Sequence, residues 1–228
     1  MKILTFYNFN NICSVSLKNN EKISYEINCV NKNSNFSVLF TINKILFKNS
    51  LKLKDVDVIS FSNGPGSFTG IRTSIILAKG LSIGSNVPLM SISMLEIYAY
   101  KAKKITCYKN FLVILKANKK NLYFGKYILS KNNLLFKKKE IFLSNKNAYK
   151  KIKMLKKNWI IIKNFNSILF NKIKKKKILN INNINALDII FLTLKKIKFK
   201  KKINNNIIFP NYLNNTMILK KKKINNLK

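Results

Sequence analysis

Apolar positions along the first half of the chain follow first a strand pattern and then a strand and helix alternation. Runs rich in β-branched and aromatic residues, separated by asparagine-rich turns, predict three strands at 2–8, 12–18 and 22–29. The pattern after them predicts helices at 34–47, 71–83 and 93–101, and strands at 56–62 and 87–92. Three antiparallel strands followed by strand–helix crossovers predict an α/β fold, a mixed sheet covered by helices.

The second half repeats this theme more weakly, after a polar and basic stretch at 101–110. Strands are predicted at 111–116, 121–129, 134–143 and 158–163, and a helix at 185–199 that Asn185 can cap. Links rich in lysine and asparagine separate these elements. We therefore expect two lobes: residues 1–104, and a smaller, diverged lobe at 105–228 with a basic carboxy-terminal tail.

A helix that packs on a sheet needs one apolar face. The helices at 34–47 and 71–83 have apolar residues on more than one face. The second also carries small residues at four-residue steps, Ser74, Ala78 and Ser82. Small residues on one ridge let another helix approach closely, and surplus apolar surface marks association. The alternative is that both helices are buried between the sheet and the second lobe.

Residues 63–72, Asn-Gly-Pro-Gly-Ser-Phe-Thr-Gly-Ile-Arg, hold three of the six glycines and the single arginine of the chain. This glycine turn precedes the helix at 71–83, for which Ser67 or Thr69 is the candidate N-cap. Its spacing differs from a dinucleotide fingerprint, a Walker loop and a nucleophile elbow. A phosphate cradle and a rigid turn that places the helix stay open as interpretations. The candidate residues are Gly64, Pro65, Gly66, Ser67, Phe68, Thr69, Gly70 and Arg72.

The glycine turn, continued by Ala78, Gly80, Leu81 and Pro88, resembles the bacterial TsaB (YeaZ) family. The opening residues 1–4 and 13–17 are similar to the first hairpin of that family, and 210–214 to its Pro-x-Tyr-Leu-Arg segment. The resemblance is strong over residues 1–98 and faint beyond. It implies a ribonuclease-H-like fold of the actin, Hsp70 and sugar-kinase superfamily with two lobes.

Two departures from the family pattern bear on chemistry. Tyr7 stands where related ATPases hold an aspartate that organises metal and phosphate, and a neutral tyrosine offers Mg²⁺ no anionic oxygen. The family motifs Asp-Ala-Arg and Glu-Val-Tyr correspond here to 116–118, Lys-Ala-Asn, and 121–123, Asn-Leu-Tyr. The role of those polar groups in relatives therefore does not carry over.

The resemblance implies a non-catalytic subunit that supports TsaD, which transfers a threonylcarbamoyl group to the adenosine beside the tRNA anticodon. It implies TsaD and TsaE as partners, tRNA as the substrate of the complex, and leaves room for a homodimer when TsaD is absent. No cofactor is expected on this chain alone, whereas the pathway uses ATP and threonylcarbamoyl-adenylate. Since the family's first two helices meet TsaD, we expect an interface at Leu39, Ile42, Ile75, Ala78 and Lys79.

Composition limits the chemistry further. There is no histidine, and the seven acidic residues include Asp55, Asp57 and Glu96, which we expect to be surface or capping carboxylates. Three cysteines without paired spacing argue against a metal site. No apolar run approaches the roughly 18 residues of a membrane span, so a cytoplasmic protein is expected.

The net charge of +38 has two interpretations. The charge reflects either a surface that contacts RNA or a compositional drift toward lysine, asparagine and isoleucine. The scattered lysines and the single arginine favour the drift. Two other functions stay open: a minimal ATPase or kinase, against which Tyr7 counts, and a basic tRNA-binding module. A protease is not expected, because Ser67 has no histidine base and no His-Glu-x-x-His motif exists.

Overall fold

The computed structural model describes residues 1–9, 12–29, 34–131, 133–166, 176–182, 184–199 and 208–213. The first half forms a five-stranded sheet of β1 (Lys2–Phe9), β2 (Ile12–Asn19), β3 (Lys22–Cys29), β4 (Val58–Ser62) and β5 (Leu89–Ile92). Its order is β3-β2-β1-β4-β5. β1 pairs antiparallel with β2 and parallel with β4, with Phe6 opposite Phe61. The predicted mixed sheet is confirmed.

The second sheet repeats this topology. It contains β6 (Asn110–Lys116), β7 (Asn121–Leu129), β8 (Leu135–Ser144), β9 (Trp159–Lys163) and β10 (Lys177–Asn180). Its order, β10-β9-β6-β7-β8, places an antiparallel three-stranded meander beside two parallel strands, as in the first sheet. The weak repeat in the sequence is therefore a repeat of whole lobes.

Helices cover the first sheet on both faces. On one face lie α1 (Ser34–Lys48) and α2 (Phe68–Ser85), whose buried residues share a core with Leu4, Phe6 and Phe61. On the other lies α5 (Ala186–Lys198), which contacts β1, β2 and β4, while α3 (Met94–Ile105) packs on α5 and on β6, β7, β8 and β9 of the second sheet. Residues of both helices share a core with both sheets, including Ile3 and Val113. α4 (Asn145–Lys153) packs on β7 and β8 of the second sheet.

The start of α5 is fixed to the first sheet, although it lies late in the chain. Thr5 Oγ1 donates to the carbonyl of Ala186, and the N–H of Ala186 donates to Ser14 Oγ, both at 2.9 Å. Asn185 caps the helix as predicted, in a capping box with Asp188. The predicted lobe boundary at residue 104 falls just before the end of α3. It assigns α5 to the second lobe, although α5 packs on the first sheet. The division into two domains stays a prediction.

Some elements differ from the predicted ones. α2 begins at Phe68, three residues before the predicted start, because Ser67 is its N-cap. Residues 145–153, expected to be a link, form a helix that buries Ala148 and Ile152 at four-residue spacing. Residues 177–180 add a parallel strand to the second sheet. The predicted basic tail, 214–228, lies outside the described residues. Within the described ranges, no helix is long and apolar enough to cross a bilayer.

Candidate functional site

The glycine turn follows the carboxyl end of β4 and leads directly into α2. Gly64 has φ +101°, a conformation that side chains with a Cβ rarely adopt, and it precedes a cis peptide bond to Pro65. A Cβ at Gly64 would lie 2.6 Å from Cδ1 of Ile71. Ser67 Oγ accepts a hydrogen bond from the N–H of Gly70 at 3.1 Å, which identifies Ser67, not Thr69, as the N-cap. Glycine is therefore required at position 64 both for the turn and for close packing on α2.

Backbone groups of the turn are held by three other parts of the chain. The carbonyl of Gly64 accepts from the N–H of Met94 at the start of α3, and the carbonyl of Gly66 accepts from the Tyr123 hydroxyl in β7 at 3.2 Å. The carbonyl of Asn63 accepts from the N–H of Asn211 at 3.0 Å. These contacts support the interpretation of the stretch as a rigid turn.

The carboxy-terminal segment, residues 208–213, lies across the turn. Arg72 Nε donates to the Tyr212 hydroxyl at 2.9 Å, and the ring of Tyr212 stacks on Phe68 with centroids 5.6 Å apart. The guanidinium of Arg72 also lies 3.8 Å from the centroid of Phe68. The single arginine of the chain therefore joins α2 to this segment. The sequence predicted both segments but not their contact.

A cavity of about 190 Å³ lies beside the turn, between the two lobes. Its lining includes Tyr7 from β1, Ser67, Tyr98 from α3, Lys116 at the end of β6 and Tyr123 from β7. Burial raises the pKa of the Tyr7, Tyr98 and Tyr123 hydroxyls, so all three remain neutral at physiological pH. Tyr7 and Lys116, one position from each of the two departures from the family pattern, both line this cavity.

No carboxylate is among the residues that line this cavity. Its phenol, amide and hydroxyl groups and one lysine can form hydrogen bonds, but they offer no anionic oxygen to Mg²⁺ and no carboxylate base. Over the described part of the chain, no three Asp, Glu, Cys or His side chains lie close enough together to hold a metal ion. The donor set does not fit the metal–phosphate chemistry of an ATPase.

The acidic residues named from the sequence have structural partners. Asp57 accepts from the N–H of Lys2 at 2.6 Å, Asp55 from the N–H of Lys52 at 2.8 Å, and Glu96 from Lys196 Nζ at 2.6 Å. Asp55 and Asp57 are the expected capping and surface carboxylates, whereas the Glu96 side chain is only 12% exposed in its ion pair with Lys196, so the expectation was wrong for Glu96. A further structural acid, Glu140, lies in β8 and has a buried side chain, and no sequence pattern pointed to it.

The five predicted interface residues divide into two groups. Leu39 and Lys79 are exposed, whereas Ile42, Ile75 and Ala78 are buried in the core beneath α1 and α2. Ala78 and Ser74 face the protein's own sheet, so the small-residue ridge accommodates that sheet and does not present itself to a partner helix. A large charged residue at position 78 would therefore disturb the fold. The interface itself stays a prediction.

The surplus apolar surface of the two helices lies on other positions. Phe40 and Phe47 on α1 are 68% and 85% exposed, and Ile76 and Ile83 on α2 are 71% and 83% exposed. Each pair is seven residues apart, so its members share one helix face. We call these four residues the outer ridge. The buried face of the same helices lies at 38, 42 and 45 and at 71, 75 and 78, where residues also recur at seven-residue spacing, so spacing alone did not say which face is exposed.

Comparison with known proteins places the chain in a family. The family model for TsaD, tRNA N6-adenosine threonylcarbamoyltransferase, matches residues 28–227. A TsaB protein of Buchnera aphidicola from Acyrthosiphon pisum, named a tRNA threonylcarbamoyladenosine biosynthesis protein, is 36% identical over 89% of this chain and 93% of its own length. A tRNA N6-adenosine threonylcarbamoyltransferase of Kosmotoga olearia is 38% identical, but over only 28% of this chain and 20% of its own length.

Solved structures show the same fold. A Pseudomonas aeruginosa crystal structure, described as an uncharacterized protein with similarity to peptidase YEAZ, has a TM-score of 0.77 at 19% identity. The match covers 93% of this chain and 99% of that one, so it includes both lobes. The predicted α/β fold, with mixed sheets and covering helices, is confirmed and is the fold of that YeaZ-like structure. Because the match to TsaB extends over nearly the whole of both chains, the chain belongs to the TsaB (YeaZ) family.

Proposed function

We propose that this chain is a non-catalytic partner subunit in the biosynthesis of threonylcarbamoyladenosine on tRNA. It associates with TsaD, which transfers the threonylcarbamoyl group to the adenosine beside the anticodon. The observation that carries this proposal is the outer ridge: Phe40, Phe47, Ile76 and Ile83 are exposed on two helices that cover the same sheet face. Large exposed apolar side chains grouped on one face mark a protein–protein contact.

The non-catalytic role is supported by the chemistry of the cavity beside the glycine turn. Tyr7 and Lys116 stand there, and no carboxylate lines it. We propose accordingly that ATP and threonylcarbamoyl-adenylate are bound elsewhere in the complex, which works in the cytoplasm with TsaE as a further partner. When TsaD is absent, the same ridge is available to a second copy of this chain.

Association is tested by co-purification with the TsaD of the same organism. Ile76→Glu combined with Ile83→Glu places two charges on the outer ridge, and we expect retained TsaD to fall by about tenfold or more. Met154→Glu is the matched control, since Met154 is 85% exposed but lies just after α4 in the second lobe. Both variants should keep the wild-type melting temperature because no buried contact is lost. If the double variant retained as much TsaD as Met154→Glu, the outer ridge would not be the contact with TsaD.

The proposed reaction is tested by measuring the modified nucleoside in tRNA, with and without this chain, in the presence of the other proteins of the pathway. We expect modification to require the chain and to be lost in the double Ile76/Ile83 variant. The purified chain alone should hydrolyse ATP far more slowly than about 1 s⁻¹, the low end of ordinary enzymatic turnover. Turnover at that rate or above would contradict the non-catalytic role.

A further inference from the structure

Three lysine ammonium groups converge on one tyrosine ring between α3 and α5. The Nζ atoms of Lys103, Lys104 and Lys195 lie 5.9, 5.2 and 5.6 Å from the centroid of the Tyr100 ring. Lys104 Nζ also lies 3.8 Å from the centroid of Phe191. Cation–π attraction holds each ammonium near an aromatic face. We call Lys103, Lys104 and Lys195 the lysine cluster.

The acids nearest to the lysine cluster are already paired with other lysines. Glu96 accepts from Lys196 at 2.6 Å, and Asp188 accepts from Lys101 at 3.2 Å. Among the described residues, no carboxylate forms an ion pair with any of the three cluster lysines. The partner of Lys195 Nζ is the uncharged carbonyl of Asn133, at 3.3 Å. The cluster therefore has no ion pair of its own, although Asp188 attracts Lys104 over a longer distance.

This arrangement is electrostatically unfavourable for the free protein. Burial, followed by the neighbouring ammonium of Lys103, lowers the pKa of Lys195 to about 8, and burial lowers the pKa of Lys104. The carbonyl ends of α3 and α5 attract lysines and offset part of this cost. Helix dipoles do not account for the convergence, because α4 also ends in three lysines, Lys150, Lys151 and Lys153, and these have no comparable shared ring.

We propose that the lysine cluster binds phosphate groups of an RNA backbone. None of the three ammonium groups is ion-paired, Lys104 is exposed and Lys103 and Lys195 are half-buried, so phosphates of one strand can approach them from solvent. The net charge of +38 attracts the strand over longer distances. This inference deepens the proposed function and rests on it only in naming tRNA as the RNA. It also resolves the two interpretations of the charge: most lysines are scattered, and this group is a site.

The test compares two variants with the same change in charge. One carries Lys103→Gln, Lys104→Gln and Lys195→Gln, and the control carries Lys150→Gln, Lys151→Gln and Lys153→Gln, which removes three exposed lysines from the last turn of α4. Binding of tRNA to the purified chain is measured by fluorescence anisotropy over a range of salt concentrations. Each lost phosphate contact reduces the slope of log K against log salt by roughly 0.7 to 0.9.

In the cluster variant we expect the slope of log K against log salt to decrease by about two or more and the affinity for tRNA near 0.1 M salt to fall by at least about tenfold. In the control variant the slope should decrease by less than half as much. Glutamine keeps the side-chain stem and removes repulsion, so the melting temperature should be equal to or above that of the wild type. Equal losses in the two variants would overturn the site and point to diffuse charge. Inorganic triphosphate that binds the cluster, without any difference in tRNA binding, would also overturn it.

Co-purification with TsaD, measured on the same proteins, separates this inference from the proposed function. The cluster variant should retain TsaD, because its three substitutions lie away from the outer ridge. Retained TsaD without a selective loss of tRNA binding overturns the RNA site and leaves the proposed function intact. Selective loss of tRNA binding supports the site even if Ile76→Glu and Ile83→Glu fail to weaken TsaD association.

Discussion

Arg72 and Tyr212 are joined by a 2.9 Å hydrogen bond from Nε to the phenol oxygen, across 140 residues of sequence. Phe68, one turn before Arg72 on α2, lies between them in contact with both. This contact uses the Nε–H donor of the single arginine of the chain, so it fixes the guanidinium beside the carboxy-terminal segment. The turn and the carboxy-terminal segment are therefore one structural unit.

The first prediction concerns the energetic link within this unit. Arg72→Met removes the donor, and Tyr212→Phe removes the acceptor while keeping the ring stacked on Phe68. The two changes should each reduce the free energy of unfolding, and their coupling in a double-mutant cycle should be about 1 kcal/mol. Urea unfolding measures all four proteins of the cycle.

A second cycle serves as the control for the first. Lys48 on α1 pairs with Glu26 on β3 at 2.6 Å, and this ion pair does not involve the carboxy-terminal segment. Lys48→Met combined with Tyr212→Phe should therefore be additive within about 0.5 kcal/mol. Additivity in the Arg72 cycle as well would show that the hydrogen bond contributes nothing to holding the segment on the turn.

The second prediction contrasts two glycines of the same region. Gly64→Ala introduces a Cβ that meets Ile71 at 2.6 Å in a conformation with φ +101°, so it should destabilise the fold by about 2 kcal/mol or more. Gly80 lies within α2, and a Cβ there would have no neighbouring atom within 4 Å. Gly80→Ala should therefore raise the free energy of unfolding by up to about 1 kcal/mol. Opposite signs in thermal or urea unfolding are the expected result, and equal signs would contradict it.

Local patterns in the sequence were sufficient for most of the first sheet and for the start of α2. Alternation gave the meander of β1, β2 and β3, and the Ser67 cap follows from a serine just before an apolar helical run. α4 was missed because six of its nine residues are lysines or asparagines and only Ala148 and Ile152 are buried. A short helix with so little apolar content is stabilised by tertiary packing on the second sheet.

Contacts between distant segments could not be predicted in the same way. Apolar residues cover more than one face of α1 and α2, so composition alone did not say that Ile75 is buried and Ile76 exposed. Packing on the sheet beneath them decides which face of each helix is buried. The same holds for the contact of Tyr212 with Arg72, and for the cavity that brings Tyr7 and Lys116 together. Register and lobe packing decide these contacts, and neither leaves a local signal.

The third prediction concerns Glu140, a buried carboxylate that joins three segments. Its oxygens accept from Ser93 Oγ at 2.6 Å, from Asn211 Nδ2 at 2.9 Å and from the Tyr127 hydroxyl. Glu140→Gln replaces one acceptor oxygen by an N–H₂ group that faces donors, so it should reduce the free energy of unfolding by about 1–3 kcal/mol. Glu21→Gln, at an exposed hairpin turn, should change it by less than about 0.5 kcal/mol.

Limited proteolysis provides a second measurement of the Glu140 variant. Asn211 lies in the segment that crosses the glycine turn, so its loosening should speed cleavage near residues 208–213 more than cleavage elsewhere. An unchanged cleavage pattern together with unchanged stability would show that the three hydrogen bonds are replaced by water at no cost.

The fourth prediction concerns the pH dependence that follows from the lysine cluster. Lys195 has a pKa of about 8 in the folded chain, below its ordinary value of 10.5, because of burial and the ammonium groups of Lys103 and Lys104. The other groups facing it are the Tyr100 ring and the Asn133 carbonyl, and neither supplies a negative charge. Between pH 8 and about 10.5 the unfolded chain therefore holds more protons at this lysine than the folded chain.

The contribution of Lys195 to the free energy of unfolding should therefore rise with pH between pH 8 and about 10.5, because the folded state loses the unfavourable charge at lower pH than the unfolded state does. The urea midpoint of the wild type, compared with Lys195→Gln, should increase between pH 8 and 10 and remain level between pH 6 and 7.5. Because tyrosines and cysteines titrate in the same range, only the difference between the wild type and Lys195→Gln is informative. A difference that stays flat up to pH 10 would mean that the three ammonium groups do not repel one another, and the electrostatic argument for the phosphate site would fail with it.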